Sequence, residues 1–143
     1  MATPNINQVF NGTYGTIWFN DELWAECDSF DANVNGDYED INLGGKSGTY
    51  RKAVGWNGTG SMTIRKVNSR IQSLMAASIK AGRTPRFKIV GKLDDPDVSG
   101  NQRIVLNDVT VDGFNLLKFD QKTTVTEDIS FAFSDYDLVS TIN

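Results

Sequence analysis

Histidine is absent from the 143 residues and cysteine occurs once. The first absence removes the side chain best suited to proton transfer near neutral pH, which is also the commonest metal ligand. Catalysis would need perturbed carboxylates or a nucleophile with an unusual base. The single thiol, Cys27, excludes an internal disulfide. It sits in Ala25-Glu26-Cys27-Asp28, where flanking carboxylates raise a thiol pKa, so it reads as a plain strand cysteine. No apolar run approaches the ~20 residues of a membrane helix, so no stable membrane anchoring is expected. No charged-then-apolar leader opens the chain, which points to synthesis in the cytoplasm. The length fits one domain, 1–143, able to bury about 70% of its unfolded surface.

What is present is β-type periodicity punctuated by Asn and Gly. Thr13 to Phe19 and Leu23 to Phe30 carry aromatic and β-branched residues on either side of Asn20-Asp21-Glu22, which predicts two strands and a tight turn. Asn35-Gly36 opens a polar, Gly-rich stretch to Arg51, read as a long loop over 35–51. Lys52 to Trp56 and Gly60 to Val67 flank Asn57-Gly58, which predicts a second hairpin. One helix is expected over 70–81: Ser69-Arg70-Ile71-Gln72 has the form of a capping box, and Val67, Ile71, Leu74, Met75 and Ile79 recur at helical spacing. Gly82 is the C-cap candidate, and Pro85 prevents continuation. The period then returns to two in Arg86 to Leu93, Arg103 to Val111, Phe114 to Phe119 across Asp112-Gly113, and a last strand marked by Val125, Ile129, Phe131 and Phe133. The expected fold is mainly β (α+β): an antiparallel β-barrel or sandwich of about seven to eight strands with one flanking helix.

Familiar site motifs fail on inspection. Gly44-Gly45-Lys46-Ser47 imitates the end of a phosphate-binding loop, but Asp40 stands where the first glycine belongs and Gly48-Thr49-Tyr50 follows instead of a helix. Asp31 to Gly36 and Asp95 to Gly100 start like calcium loops, yet Asn42 and Leu106 occupy the twelfth position, where a bidentate Glu belongs. Turn chemistry explains these Asp, Asn and Gly residues equally well. Asn11-Gly12-Thr13 and Asn57-Gly58-Thr59 fit a glycosylation pattern but read as turns. No catalytic, cofactor-binding or metal-ligating residue emerges, and no cofactor is implied. Trp18, Trp24 and Trp56 are either core and interface residues or a sugar-stacking platform. A carboxylate-based hydrolase would need a paired acid and nucleophile in a cleft, for which so small a domain has little room.

Charge is segregated along the chain. Residues 1–40 hold eight acids and no base, 41–93 hold eleven bases and no acid, and 94–143 hold ten acids and three bases. Either antiparallel neighbours neutralise one another within a subunit, or the molecule carries two oppositely charged surfaces suited to a head-to-tail contact. The latter leads to rings or filaments.

Taken in order, Asn11-Gly12-Thr13-Tyr14-Gly15, the segment Gly55 to Ser61, the helix after Lys66-Val67 and the closing Ile129-Ser130-Phe131-Ala132-Phe133-Ser134-Asp135-Tyr136 resemble the tail-tube proteins of contractile phage tails, defective prophage particles and phage-tail-like bacteriocins. The resemblance runs nearly end to end. It implies a structural, non-enzymatic subunit of a virion or tail-like particle. Such subunits form stacked hexameric rings around a channel, with sheath, baseplate and tape-measure proteins as partners. DNA would be a non-specific passenger, or the tube would permeabilise an envelope. The net charge of −4 suits a DNA conduit, because acidic walls repel phosphates. The family's long assembly loop matches 35–51 by position, without fixing the role of any one residue in it. In and beside that stretch, charge singles out Asp37, Glu39, Asp40, Lys46, Arg51 and Lys52, and apolar bulk Tyr38, Ile41, Leu43 and Tyr50, as the candidate interface. In the free subunit this loop is expected to be disordered, since its few apolar anchors offset little of the entropy of ordering. The alternative reading is a monomeric carbohydrate- or ligand-binding β-sandwich module.

Overall fold

The computed structural model of the chain describes residues 6–142; residues 1–5 and 143, the ends of the expected 1–143 domain, lie outside the described residues. Eight antiparallel strands form one sheet: β1 (Gly15–Phe19), β2 (Glu22–Leu23), β3 (Cys27–Asn42), β4 (Thr49–Arg65), β5 (Phe87–Leu93), β6 (Gln102–Gly113), β7 (Thr126–Phe133) and β8 (Asp135–Ser140). Helix α1 (Arg70–Lys80) follows β4. The spatial order is β2-β1-β5-β6-β7-β4-β3, with β8 also on β6. The mainly β class with one flanking helix is as the periodicity predicts.

Alternation builds the core. Ile17 and Phe19, Met62 and Ile64, Phe87 and Ile89, and Ile129, Phe131 and Phe133 point inward from β1, β4, β5 and β7, and Ile71 and Met75 close over them from α1. Phe19 stacks on Trp24 at 4.5 Å, and Trp24 is 1% exposed. At the first hairpin Asn20 (φ 51°) and Asp21 (φ 66°) take the left-handed conformation a two-residue turn requires. The strand beyond it is shorter than expected. β2 ends at Leu23, the chain turns at Trp24 so that its ring enters the core, and β3 begins at Cys27.

Three sequence expectations are corrected. Asn57-Gly58 is not a turn: β4 runs unbroken through it, with Asn57 opposite Asn35 and Gly58 opposite both Val34 and Phe133. Glycine is needed here for closeness. A Cβ at Gly58 would lie 2.3 Å from the Phe133 ring and one at Gly60 2.4 Å from the Phe131 ring. Phe114 to Phe119 is not a strand. Phe114 drops against the core and the Asn115 carbonyl accepts a bond from the Gln72 side chain, drawing the chain off the ladder. This leaves Leu116 (73%), Leu117 (78%) and Phe119 (62%) exposed. The stretch 35–51 is not a loop either, since 35–42 and 49–51 belong to β3 and β4 and only 43–48 connects them. Beyond the last expected strand, β8 continues along β6 after Ser134.

The helix spans nearly the expected range, but its ends work differently. The Ser69 side chain makes no capping bond, and Asn68 accepts from the Arg70 N–H instead. Gln72 is thereby free to reach Asn115 and the carboxylate of Glu127. Glu127 is 2% exposed and also meets Lys66 Nζ at 2.8 Å. A buried carboxylate survives because a cation and an amide donor replace its water. At the other end Gly82 (φ 78°) bonds back to Ile79 and Arg83 to Ser78, a Schellman closure.

Candidate assembly surface

β3 and β4 are 16 and 17 residues long, but the sheet uses only part of them. β7 pairs with β4 over Gly58–Arg65, and residues 49–57 of β4 pair only with β3. The distal half of the pair therefore projects as a two-stranded ribbon, from Asn35 and Asn57 to the tip at 43–48. Among the described residues β3 has no second neighbour, and β8 pairs with β6 alone. Unpaired N–H and C=O groups thus line the free side of β3, both sides of the ribbon and one side of β8. Such edges are a template for another chain unless they are covered.

All ten candidate interface residues lie on this ribbon. Glu39 stands opposite Lys52, Asp40 opposite Arg51, Ile41 opposite Tyr50 and Tyr38 opposite Ala53. Leu43 and Lys46 sit at the tip, and Asp37 is opposite Gly55, next to the irregularity that shifts the register. The Arg51 guanidinium lies 4.1 Å from the Tyr38 ring centroid. Tyr38, Leu43 and Tyr50 are each about half exposed. The register places basic Arg51 and Lys52 against acids of their own chain. Elsewhere too, basic middle residues meet acids of the same subunit, in Arg65–Asp28, Arg70–Glu26 and Lys66–Glu127. Neutralisation between antiparallel neighbours thus accounts for part of the charge segregation. The ribbon's extended ladder also replaces the expected disorder, because cross-strand pairs and continuous backbone bonding do what apolar burial could not.

Sequence reasoning missed the paired nature of this segment. The signal was present: Tyr38, Glu39, Asp40, Ile41 and Tyr50, Arg51, Lys52 carry bulky side chains suited to a strand, but the glycines between them dominated the reading.

The other candidate features resolve into structure. Asp31 to Gly36 lies extended in β3, so successive side chains point to opposite faces and cannot surround an ion. Asp95 is buried and accepts from the N–H groups of Asn11 and Asp97, both at 2.9 Å, fastening the N-terminal segment to the β5–β6 connection. Gly44 to Ser47 forms the ribbon tip with no helix behind it. Trp56 contacts Phe133 and Tyr136, and Trp24 is in the core, so the tryptophans form no common platform. Burial, aided by Asp28 and Glu26, pushes the Cys27 thiol up to about 11 against the opposing effect of a hydrogen bond with the Ser29 backbone, which leaves it protonated and unreactive at neutral pH.

The family profile described as "Phage tail tube protein" matches residues 2–140. The chain belongs to the phage tail tube protein family. It is 32% identical over 140 residues to the phage-like element PBSX protein XkdM of Bacillus subtilis (strain 168), covering 96% of this chain and 95% of that protein. In structure it resembles a subunit of the sheath–tube complex of the extracellular contractile injection system PVC, with a TM-score of 0.75 over 95% of both chains at 8% identity. It also resembles a subunit of the tube-terminating cap of the anti-feeding prophage, with a TM-score of 0.71 over 99% of this chain and 95% of that one at 10% identity. A Bacillus subtilis protein that is 31% identical gives a TM-score of 0.52 over 90% of this chain and 94% of its own. The tail tube fold therefore persists where sequence identity has almost vanished, while a closer relative in sequence differs more in shape.

Proposed function

We propose that this tail tube protein forms stacked hexameric rings around a central channel within a contractile-type tail, and that the β3–β4 ribbon is the element through which copies join. The observation that carries this reading is the ribbon itself. It has two unpaired edges and half-exposed Tyr38, Leu43 and Tyr50 far from the core that would normally bury them. Fully buried, large apolar side chains contribute roughly 1.5 to 3 kcal/mol each, so a neighbour that covers them supplies substantial association energy. Pairing the free edges of β3 and β8 with adjacent copies removes the liability of an open sheet. Sheath, baseplate and tape-measure proteins are the partners this role requires, and DNA passing through the channel is a non-specific passenger. The role is structural and calls for no catalytic group.

Size-exclusion chromatography with light scattering, comparing the full chain with a variant in which 37–55 is replaced by a two-residue turn that keeps Gly36 opposite Trp56, tests the ribbon's part. The full chain is expected to form rings or longer polymer as concentration rises, and the shortened chain to remain folded and monomeric. Equal assembly by both would remove the ribbon from the interface.

A further inference from the structure

Resting on the tube reading, we propose that residues 115–119 of one copy add as a strand to the free edge of β3 in a second copy, with Leu117 and Phe119 entering the cleft beside that edge. The spatial order of the sheet begins at β2 and β1 and ends at β3, so the barrel stays open between them. A cleft of about 740 Å³ occupies the gap. Its apolar lining includes Ile17, Leu23, Phe30, Leu93 and Ile104, of which Leu23 is half exposed and Phe30 and Ile104 are only partly buried. On one side runs β3 from Cys27 to Ala32, with β4 as its single neighbour among the described residues. On the other, β2 pairs with β1 only at Trp18 and Phe19, which leaves Gly15 and Thr16 unpaired on the side away from β5. An apolar floor beside an open strand edge is an arrangement that receives an extended segment: main-chain bonds hold the segment, and its alternate side chains fill the pocket.

The segment that fits lies in the β6–β7 connection. Phe114 to Phe119 has the alternation of a strand but no ladder among the described residues. Its base is fixed, since Phe114 packs on the core and the Asn115 carbonyl accepts from Gln72, while Leu116, Leu117 and Phe119 stand out from the surface. Three such side chains within four residues form a patch that another surface covers. In an extended backbone Leu117 and Phe119 share one face and Lys118 takes the other. Seating that pair in the cleft sets Lys118 on the outer face of β3, beside Ser29, Asp31 and Asn33. Charge selects a copy of this chain as the host, because β3 carries acids and no base from Cys27 to Asn42, and the segment brings Lys118, with Asp120 and Lys122 just beyond. The partner of Lys118 in its own subunit, Asp128 at 3.3 Å, is exposed and readily exchanged. Within one subunit β7, β4 and β3 separate the segment from that edge, so the two meet between copies. A patch on one part of a molecule and its pocket on another make a heterologous contact, which propagates into rings or filaments.

Disulfide capture tests the pairing. In a Cys27→Ser background, one protein carries Lys118→Cys and a size tag, and a second carries Ser29→Cys, Asp31→Cys or Asn33→Cys; the two are mixed, assembled and oxidised mildly. Residues on one face of adjacent strands stand close enough for a disulfide. A covalent dimer of tagged and untagged chains is therefore expected with one of the three acceptors, and none when Ser73→Cys on α1 replaces Lys118→Cys. The paired change Leu117→Asp with Phe119→Asp, at exposed positions, is expected to leave the melting temperature of the monomer unchanged and to raise the concentration at half-assembly by at least about tenfold. Assembly of that variant at the concentration of the unaltered protein would overturn the proposal and assign Leu117 and Phe119 to a different protein. Weakened assembly with no covalent dimer from any acceptor would seat the segment elsewhere on the second copy and overturn it as well. Absence of assembly by the Cys27→Ser parent and the unaltered protein alike would instead defeat the tube reading, and the proposal with it.

Discussion

Replacing Gly60 by alanine isolates the packing on which the long strand β4 depends. A Cβ built there would approach Phe131 Cζ to 2.4 Å and the main-chain oxygen of Asp31 to 2.5 Å. Neither neighbour yields easily, because Phe131 is 1% exposed and stacks on Phe30 at 5.7 Å, and the Asp31 oxygen belongs to the paired strand. Overpacking of a filled core costs about 1 to 3 kcal/mol. Removing glycine from a strand interior returns about 0.5 to 1 kcal/mol through the unfolded chain. The net is a loss of roughly 1 to 2 kcal/mol, which for a chain of this size lowers Tm by about 3 to 7 °C. Thermal and denaturant unfolding of dilute, unassembled protein should show this loss. Gly113→Ala, where nothing lies within 4 Å of the added carbon, should cost little. In a Phe131→Leu background the cost of Gly60→Ala should shrink by more than about 0.5 kcal/mol but persist in part, since the Asp31 oxygen remains. A Gly60→Ala protein as stable as the original would refute the close-approach explanation and reopen Asn57-Gly58 to a conformational one.

Glu127→Gln should cost about 3 to 5 kcal/mol in unfolding experiments, because it strands Lys66 beside a buried amide, whereas the paired change Lys66→Met with Glu127→Leu should cost less. Cys27 should react slowly with aromatic disulfide reagents at neutral pH, its rate climbing towards the folded pKa of about 11. Because that value lies above the ordinary 9.0, the thiol's contribution to stability is complete below pH 9 and is lost as pH rises from 9 through 11, and a Cys27→Ser protein should lose less stability over that window. Reversing Arg51 and Lys52 to Glu sets like charges opposite Asp40 and Glu39; exposed pairs of this kind contribute only about 0 to 1 kcal/mol, so monomer unfolding should shift slightly while light scattering shows weakened assembly.

The strand-rich class, the single helix and the core positions were legible because they depend on periodicity, which burial enforces directly. Ile71 and Met75 recur with the helical period, and Ile129, Phe131 and Phe133 with the period of a strand. The places misread are those where one residue type serves two purposes. Gly58 and Gly60 look like turn residues, yet each makes room for an aromatic ring contributed by a strand some seventy residues later, a contact that no local pattern reveals. The ribbon was misread because glycines at its tip lent their character to the strands on either side. Phe114 to Phe119 has the alternation of a strand, but the bond from Gln72 to Asn115 and the packing of Phe114 remove it from the ladder. The charge map pointed to pairing between segments, while the register that sets Glu39 against Lys52 in one chain became visible only with the sheet in place.

Electron microscopy of the purified, concentrated protein tests the central claim most directly. Self-assembly into a tube predicts rings with six-fold symmetry in end views and stacked striations in side views. A population of single subunits, unchanged over all concentrations and salt conditions and confirmed as monomeric by light scattering, would contradict it.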